Sequence, residues 1–297
     1  MPASVGEALR AAALRLRASG SRSPRLDAEL LLATVLGVDR TGLFRQPERA
    51  LALEEAERFD AFVARREALE PVAYIRGLRA FRTLELEVTP AVLIPRPETE
   101  TLVDVALELL DGASPPGPFA PLVLDVGTGS GCIALALAAE NPYVRVVASD
   151  VDEAALAVAR RNAARLGLER RLVLVRSDLL ADLPTDLRFD LVLSNPPYIP
   201  AAEYEALEPN VHDFEPRLAL YGGADGLDVY RRLVPAAAAR LRRGGALAVE
   251  VGAGQAAAVA ELFAAAGGFA AAEQRLDLGG VPRVVSARRV GAAAGRD

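Results

Sequence analysis

The stretch Leu122-Val-Leu-Asp-Val126, Gly127-Thr-Gly-Ser-Gly131 and the run from Cys132 to Glu140 constrain this chain more than any other segment. Five mostly apolar residues end in a loop with three glycines, and an alanine- and leucine-rich run follows at once. The pattern reads as a buried strand, a tight loop and a helix. Glycines let the backbone approach a ligand, and the first turn of a helix offers amides that lack intrahelical partners. Such a unit belongs in a mostly parallel sheet with helices on its faces. The spacing Gly-x-Gly-x-Gly, with Asp125 just ahead of it, departs from the Gly-x-Gly-x-x-Gly that cradles a pyrophosphate in dinucleotide enzymes. An acid at that position suits a ligand carrying an ammonium and a sulfonium better than one carrying a pyrophosphate.

The following segments extend the sheet. Val144 to Ser149 reads as a strand ending in Asp150, about twenty residues past the loop, where a carboxylate can accept from both hydroxyls of a ribose. The competing role is an N-cap for a helix over 153–166, although Asp152 is better placed for that. A third strand, Leu172 to Val175, leads to Asp178, which can accept from an adenine amino group, and to Leu179, which can cover the ring. A fourth, Phe189 to Leu193, runs into Ser194-Asn195-Pro196-Pro197-Tyr198. Two prolines end a strand abruptly because neither donates to a neighbour. Asn195 and Tyr198 then stand on a stiff turn at the strand's C-terminal end. There a planar polar group can lay its hydrogens on the Asn195 oxygen and a backbone carbonyl, and its face on the Tyr198 ring. The competing reading is a proline-rich turn with an Asn favoured for its conformation. All the basic residues are arginine, and asparagine occurs only at 141, 162, 195 and 210, so an Asn at a strand end is suggestive.

Around this frame the chain divides. Residues 5–18, 24–36 and about 53–69 carry helical apolar stripes, with Pro24 in a first turn and Gly37 as a stop. Nothing in 1–75 offers a nucleophile, a metal set or a phosphate loop, and recognition is its obvious use, with a mere capping domain as the alternative. Phe81–Val88 and Ala91–Ile94 read as a hairpin across Thr89-Pro90. Pro95 and Pro97 stiffen a connector in which Arg96 and Glu98 either line a site or cap the helix over about 99–110. Residues 111–121 form a turn-rich loop. The insert 199–228 is too long and too aromatic for a simple crossover and is expected to wall the site. A helix over 228–243, a strand Ala246–Val251, a helix over 255–266 and two strand-like runs, 269–277 and 283–289, complete the order. The tail 291–297 is expected to be disordered.

A net charge of -6 argues against nonspecific nucleic-acid binding. One cysteine, Cys132, excludes an internal disulfide and suits a reducing compartment, and a buried packing role fits it best. The lone histidine, His212, has no cluster around it, so no metal is expected. No run has the length of a membrane span and the start has no signal-peptide core, so a soluble, cytoplasmic protein is expected.

Asp125-Val-Gly-Thr-Gly-Ser-Gly131, Asp150 and Asn195-Pro-Pro-Tyr198 together resemble the class I S-adenosylmethionine-dependent methyltransferases, and the Asn-Pro-Pro-Tyr form resembles enzymes that methylate a planar, conjugated nitrogen. Pro71-Val-Ala-Tyr-Ile-Arg-Gly77, Leu93-Ile-Pro-Arg-Pro-Glu-Thr-Glu100, Phe214-Glu-Pro-Arg-Leu-Ala-Leu220 and Gly223-Ala-Asp-Gly226 resemble the HemK/PrmC family over nearly the whole chain. A small departure from the family is Arg82-Thr83, where an aromatic and a glycine are frequent. The resemblance implies an α/β fold: a doubly wound, Rossmann-like, mostly parallel seven-stranded sheet, with a small N-terminal helical bundle joined by a β-hairpin. Its divisions would be 1–75 for substrate recognition, 76–98 for the hairpin linker, 99–290 for methyl transfer, and the tail. It implies transfer of a methyl group from S-adenosylmethionine, leaving S-adenosylhomocysteine, to the N5 amide of the glutamine in the Gly-Gly-Gln motif of class 1 peptide chain release factors. No membrane and no direct nucleic-acid partner is implied. Cofactor-binding residues would be Asp125, Gly127, Thr128, Gly129, Ser130, Gly131, Asp150, Val151, Asp178, Leu179 and Asn195. Substrate-binding residues would be Asn195, Pro196, Pro197 and Tyr198, with Asn195, Pro196 and Tyr198 catalytic. The other readings are a ribosomal-protein glutamine methyltransferase, a DNA or RNA amino-methyltransferase, and a cofactor-sensing module that docks on a release factor without turnover.

Overall fold

A computed structural model of the chain describes residues 3–111 and 120–290. The expected turn-rich loop (for 112–119) and disordered tail lie outside these residues. Two compact units emerge, one comprising the described residues up to Leu78 together with Glu208–Phe214, the other Arg79–Leu207 and the described residues from Glu215 on. The first unit thus takes a short piece of the later insert that the expected division at residue 75 did not foresee.

In the first unit the helices are α1 (Val5–Ala18), α2 (Pro24–Leu36), α3 (Arg40–Arg45), α4 (Leu53–Glu67) and α5 (Val72–Arg76). Ser4 and Glu7 form a reciprocal capping box at the start of α1, and Gly37 ends α2 at φ 64°. Leu16, Leu31, Leu32, Phe59 and Val63 pack the bundle's interior. Its buried acids are paired: Asp27 accepts from Arg66 at 2.8 Å, and Glu29 accepts from Arg25 and Arg40.

The second unit opens with a hairpin, β1 (Leu78–Phe81) and β2 (Leu84–Glu87). This corrects the expected pairing of Phe81–Val88 with Ala91–Ile94. The alternation from Phe81 onward looks like one strand, but Arg82 adopts φ 52° and turns the chain back within two residues. Residues Ala91–Ile94 form no strand, and Pro90 cannot donate to a ladder.

Helix α6 (Glu100–Asp111) leads to β3 (Leu122–Val126), α7 (Cys132–Glu140), β4 (Arg145–Asp150), α8 (Glu153–Leu166), β5 (Leu172–Arg176) and β6 (Phe189–Ser194). The insert holds the short helices α9 (Ala201–Tyr204) and α10 (Pro209–His212). Then come α11 (Asp228–Arg240), β7 (Leu241–Glu250), α12 (Ala256–Ala266), β8 (Glu273–Leu276) and β9 (Pro282–Arg288). Among the described residues these strands form a seven-stranded sheet in the order β5-β4-β3-β6-β7-β9-β8. It is parallel except for β9 against β7 and β8 against β9. Alternate residues face opposite sides. Val123, Leu191 and Ala248 meet α6 and α7, while Leu124, Val192 and Val249 meet α11 and α12. Helix α11 stops at Arg240, three residues before the expected 243. Buried Leu241 already pairs with Phe189, and the ladder then skips to Leu191 beside Ala246, so Arg242–Gly245 bulge out of it.

Asn162 of α8 fastens the hairpin to this frame. Fully buried, its Oδ1 accepts from the Glu87 amide at 2.6 Å, and its Nδ2 donates to the Glu87 and Ser130 carbonyls, each at 2.9 Å. Removing it strands three backbone groups, the Ser130 carbonyl buried and the Glu87 amide and carbonyl partly so. Asn162→Ala is expected to lower stability by about 3 kcal/mol, measured as the shift in urea unfolding.

Candidate active site

Strand order reverses between β3 and β6, the switch point at which open α/β sheets keep their ligands. Val126 pairs with Ser194, so the glycine loop and the Asn-Pro-Pro-Tyr turn leave neighbouring strands side by side. The Ser194 hydroxyl donates to the Val126 carbonyl at 2.8 Å and ties the two exits together.

The loop hangs on the end of β4. The Gly127 and Thr128 amides donate to the Ser149 carbonyl at 2.8 and 2.9 Å, and the Gly129 amide donates to Asp150 Oδ2 at 2.9 Å. Gly127, Gly129 and Gly131 take φ of 72°, 55° and 83°, the left-handed region that side chains resist. At Gly131 a Cβ would also come within 3.0 Å of Leu135 and 3.3 Å of Ala159.

A cleft of about 1160 Å³ opens here, lined by Gly127, Thr128, Gly129, Ser130, Asp150, Val151, Asp178, Leu179, Asn195, Pro196 and Pro197. Eleven of the fourteen residues singled out from the sequence therefore converge on it; Asp125, Gly131 and Tyr198 do not line it. Pro216, Leu218 and Ala219 of the insert wall it, as expected of that segment. Arg217 stacks on Tyr221 at 4.5 Å and on Tyr204 at 5.2 Å, bracing the wall.

Asp125 lies behind the loop, fully buried. Its Oδ2 accepts from the Thr128 hydroxyl at 2.7 Å and its Oδ1 has no partner. Burial pushes its carboxyl up to about 7, a rise that the Thr128 hydrogen bond restrains. Asp150 accepts from the amides of Asp152 and Gly129, and burial raises its carboxyl too. The N-cap of α8 is Asp152, whose side chain accepts from the Ala154 amide, so Asp150 is not that cap. Asp178 presents its carboxylate at the surface with Oδ2 on Arg232 at 2.5 Å. Cys132, half-buried on the cleft, has its thiol pushed up to about 12 by burial and stays a neutral packing group.

The turn after β6 is held from three sides. Asn195 Nδ2 donates to Thr99 Oγ1 at 3.1 Å, and Gln255 Nε2 donates to the Tyr198 carbonyl at 2.9 Å. Gly222 packs so closely that a Cβ there would lie 2.8 Å from both the Pro197 carbonyl oxygen and Tyr198 Cα. The Tyr198 side chain belongs to a separate cavity of about 400 Å³, which it shares with Arg96, Glu98, Glu250 and Arg283. Burial pushes its phenol up to about 12.

Reasoning from sequence left Arg96 undecided and passed over Glu215, Thr99, Glu250 and Arg283 as individual side chains. Glu215 is nearly fully buried; one oxygen takes the Arg96 guanidinium and the other accepts from the Ile94 amide at 3.1 Å. The Phe-Glu-Pro-Arg and Pro-Arg-Pro-Glu segments thus clamp each other. An acid following the apolar run Ala246–Val249 was the available signal for Glu250.

Two outcomes follow from this geometry. Gly222→Ala, which must displace the backbone of Pro197 and Tyr198, is expected to cost about 1–3 kcal/mol in thermal or urea unfolding. The carboxyl of Asp125 sits near 7 when folded against an ordinary value of 3.8. Its contribution therefore favours the fold below about 4 and is lost as pH rises through about 7. Differential scanning fluorimetry of the unliganded protein should show a fall in melting temperature from about pH 4 to 7 that is smaller in Asp125→Asn.

Residues 7–77 match the family described as the PrmC N-terminal domain, and residues 101–211 match the methyltransferase small domain. A release factor glutamine methyltransferase of Geobacter sulfurreducens is 46% identical over 273 residues, 92% of each chain. One from Cereibacter sphaeroides is 48% identical over 284 residues, 96% of this chain and 98% of the relative. Among solved structures, a methyltransferase from Pyrococcus furiosus shares the fold, with a TM-score of 0.50 at 21% identity over 78% of this chain and 98% of the other. With loop, turn and sheet in this arrangement and nearly full-length relatives at this identity, the chain belongs to the release factor glutamine methyltransferase family.

Proposed function

We propose that this enzyme transfers a methyl group from S-adenosylmethionine to the side-chain amide nitrogen of the glutamine in the Gly-Gly-Gln motif of class 1 peptide chain release factors. The observation that carries the reading is the Asn195 carboxamide on the cleft, its nitrogen donating to Thr99 and its oxygen left for the hydrogens of another amide.

The residues present fit the cofactor. Asp125 Oδ1 and Ser130 Oγ are buried without partners behind the glycine loop, an acidic setting that complements a cation. Gly127 to Ser130 would bring backbone against it, and the second lone pairs of Asp150 would accept from its ribose. Asp178 and Leu179 flank the place for a base, with Asp178 Oδ1 the acceptor left beside Arg232. When bound, the cofactor supplies an electrophilic methyl on a sulfonium.

The protein's own task is placement. An amide nitrogen is a poor nucleophile because its lone pair is delocalised into the carbonyl. Asn195 Oδ1 and the Pro196 carbonyl would take its two hydrogens, aim the nitrogen and stabilise the positive charge that grows on it. A methylated, protonated amide loses its proton readily, so no strong base is needed. The Tyr198 ring would bound the substrate pocket, and the 1–75 helical region would recognise the release factor, in keeping with the PrmC N-terminal match.

The test is mass spectrometry of the Gly-Gly-Gln peptide after incubating purified release factor with the enzyme and S-adenosylmethionine. One added methyl on the glutamine is expected, absent with Asn195→Ala, whose cofactor affinity by calorimetry should weaken only modestly. No methyl on that residue, with cofactor still bound, would turn the search to ribosomal protein and nucleic acid. Collapse of cofactor affinity in Asn195→Ala, with turnover surviving, would remove Asn195 from its role.

A further inference from the structure

Every residue of the Asn-Pro-Pro-Tyr turn presents a carbonyl, and a substrate amide has two hydrogens to place. Methyl transfer needs those hydrogens on one pair of acceptors and on no other. The two prolines supply no amide that could tie the turn down from within. The hold has to come from outside it.

At Tyr198 it comes from the connection between β7 and α12. Gln255 Nε2 donates to the Tyr198 carbonyl at 2.9 Å, and Gln255 Oε1 accepts from the Gly252 amide at 3.0 Å. A free carboxamide exchanges its two ends by half a turn about its terminal torsion. Here the exchange is blocked. It would set Nε2 against the Gly252 N–H and Oε1 against the Tyr198 carbonyl oxygen, donor to donor and acceptor to acceptor. The Gln255 amide also donates to the Gly252 carbonyl at 3.1 Å, so backbone and side chain fasten on the same residue. Packing leaves no looser arrangement. A Cβ on Gly226 would collide with the Tyr198 carbonyl oxygen and Gln255 Nε2, and one on Gly252 would lie 3.0 Å from Tyr198 Cδ2. The connection therefore meets Tyr198 at its carbonyl and at its ring. One residue later the chain is held by backbone: the Ile199 amide donates to the Leu220 carbonyl, and the Gly222 amide to the Ile199 carbonyl, each at 2.9 Å.

We propose that Gln255 is a positioning residue for methyl transfer. By claiming the Tyr198 carbonyl it fixes the turn, so that the Asn195 oxygen and the Pro196 carbonyl are the acceptors offered to the glutamine amide. This rests on the reading that Asn195 and Pro196 hold that amide. Gln255 does not line the cleft and acts through the backbone of the turn.

The test uses the full-length enzyme with Gln255→Met and Gln255→Glu, release factor and S-adenosylmethionine both saturating. Methionine keeps much of the shape and has no N–H to donate. Gln255→Met should lower kcat about tenfold or more, with cofactor Kd by calorimetry within about twofold of wild type. Glutamate still accepts from Gly252, but when ionised it sets its other oxygen against the Tyr198 carbonyl. When protonated, that oxygen donates and restores the bond. An acid facing a carbonyl ionises above the ordinary glutamate value, so kcat of Gln255→Glu relative to wild type should rise as pH falls from about 8 to about 5. The same ratio for Gln255→Met should stay flat. Arg96, Glu98, Glu250, Arg283 and the Tyr198 phenol, which share the cavity beside the turn, are present in both enzymes and cancel from the ratio. Wild-type kcat in Gln255→Met, or a ratio in Gln255→Glu that ignores pH, would overturn the proposal. Should Gln255→Met not fold, the Gln255→Glu ratio still decides.

A second readout needs no turnover. Tyrosine precedes isoleucine at Tyr74-Ile75 and Tyr198-Ile199 alone, so carbonyl-13C tyrosine with 15N isoleucine marks two peptide bonds. In the enzyme alone, the Tyr198 carbonyl resonance should move upfield in Gln255→Met while that of Tyr74 stays. No movement would overturn the hold on the turn even if methylation occurs. Failure of the wild-type enzyme to methylate the release factor would refute the function and leave the carbonyl shift to decide whether Gln255 holds the turn.

Discussion

The parallel pairing of β3 with β6 is the contact on which the site depends. It sets Val126 beside Ser194, and from that register the glycine loop and the Asn-Pro-Pro-Tyr turn leave the sheet as neighbours. A slip of one residue would move either exit by about 3.3 Å and turn every inward side chain to the opposite face. Neither segment can repair such a slip. The loop is fixed by three amides donating to Ser149 and Asp150, and the turn by Thr99, Gln255 and the backbone of Gly222. Rigidity at both exits converts strand register into the position of Asn195 over the loop.

Buried acids sort into two kinds in this chain. Asp27 and Glu29 of the N-terminal bundle are each matched by arginine, as structural charges should be. Asp125 and Glu250 are also buried, yet each keeps one oxygen without a partner, and burial holds each carboxyl near 7. Leaving a carboxylate underserved costs stability; Asp125 lies just behind the glycine loop, and Glu250 lines the cavity beside the cleft. Asp125 gives the cofactor side a negative field suited to a cation. Glu250 stands in the Tyr198 cavity with Arg96, Glu98 and Arg283.

How much of this was legible follows from how local each feature is. The loop, the strand ends and the two late strand-like runs were readable because each is written in a continuous stretch of sequence. Asp150, Asp178 and Asn195 were found because they follow strands. The hairpin was misplaced because the turn at Arg82-Thr83 has neither Gly nor Pro to mark it, and Arg82 takes its positive φ from context. Asn162 appeared only as one of a few asparagines, since its partners Glu87 and Ser130 lie 75 and 32 residues away. Arg96 with Glu215, separated by 119 residues, was hidden for the same reason. The structure also moves Tyr198 off the main cleft, because the stiff double proline carries its side chain past the cleft wall into the cavity with Glu250 and Arg283.

Methylating an amide asks for little acid–base chemistry and much geometry, and the site is built accordingly. The chain's one histidine, His212, clusters with the N-terminal unit, and the cleft thiol of Cys132 is held neutral. What the site spends on is fixed direction: two prolines that cannot donate, a clamp between Glu215 and Arg96, and an Asn195 nitrogen held on the Thr99 hydroxyl. A carbonyl cannot flip its polarity and a carboxamide can. Pro196 therefore needs only a rigid backbone to present an acceptor, whereas Asn195 needs neighbours that tell its two ends apart. In keeping with that asymmetry, the Thr99 hydroxyl stands against the Asn195 nitrogen, while the proline side of the turn is held mainly by close backbone packing against Gly222.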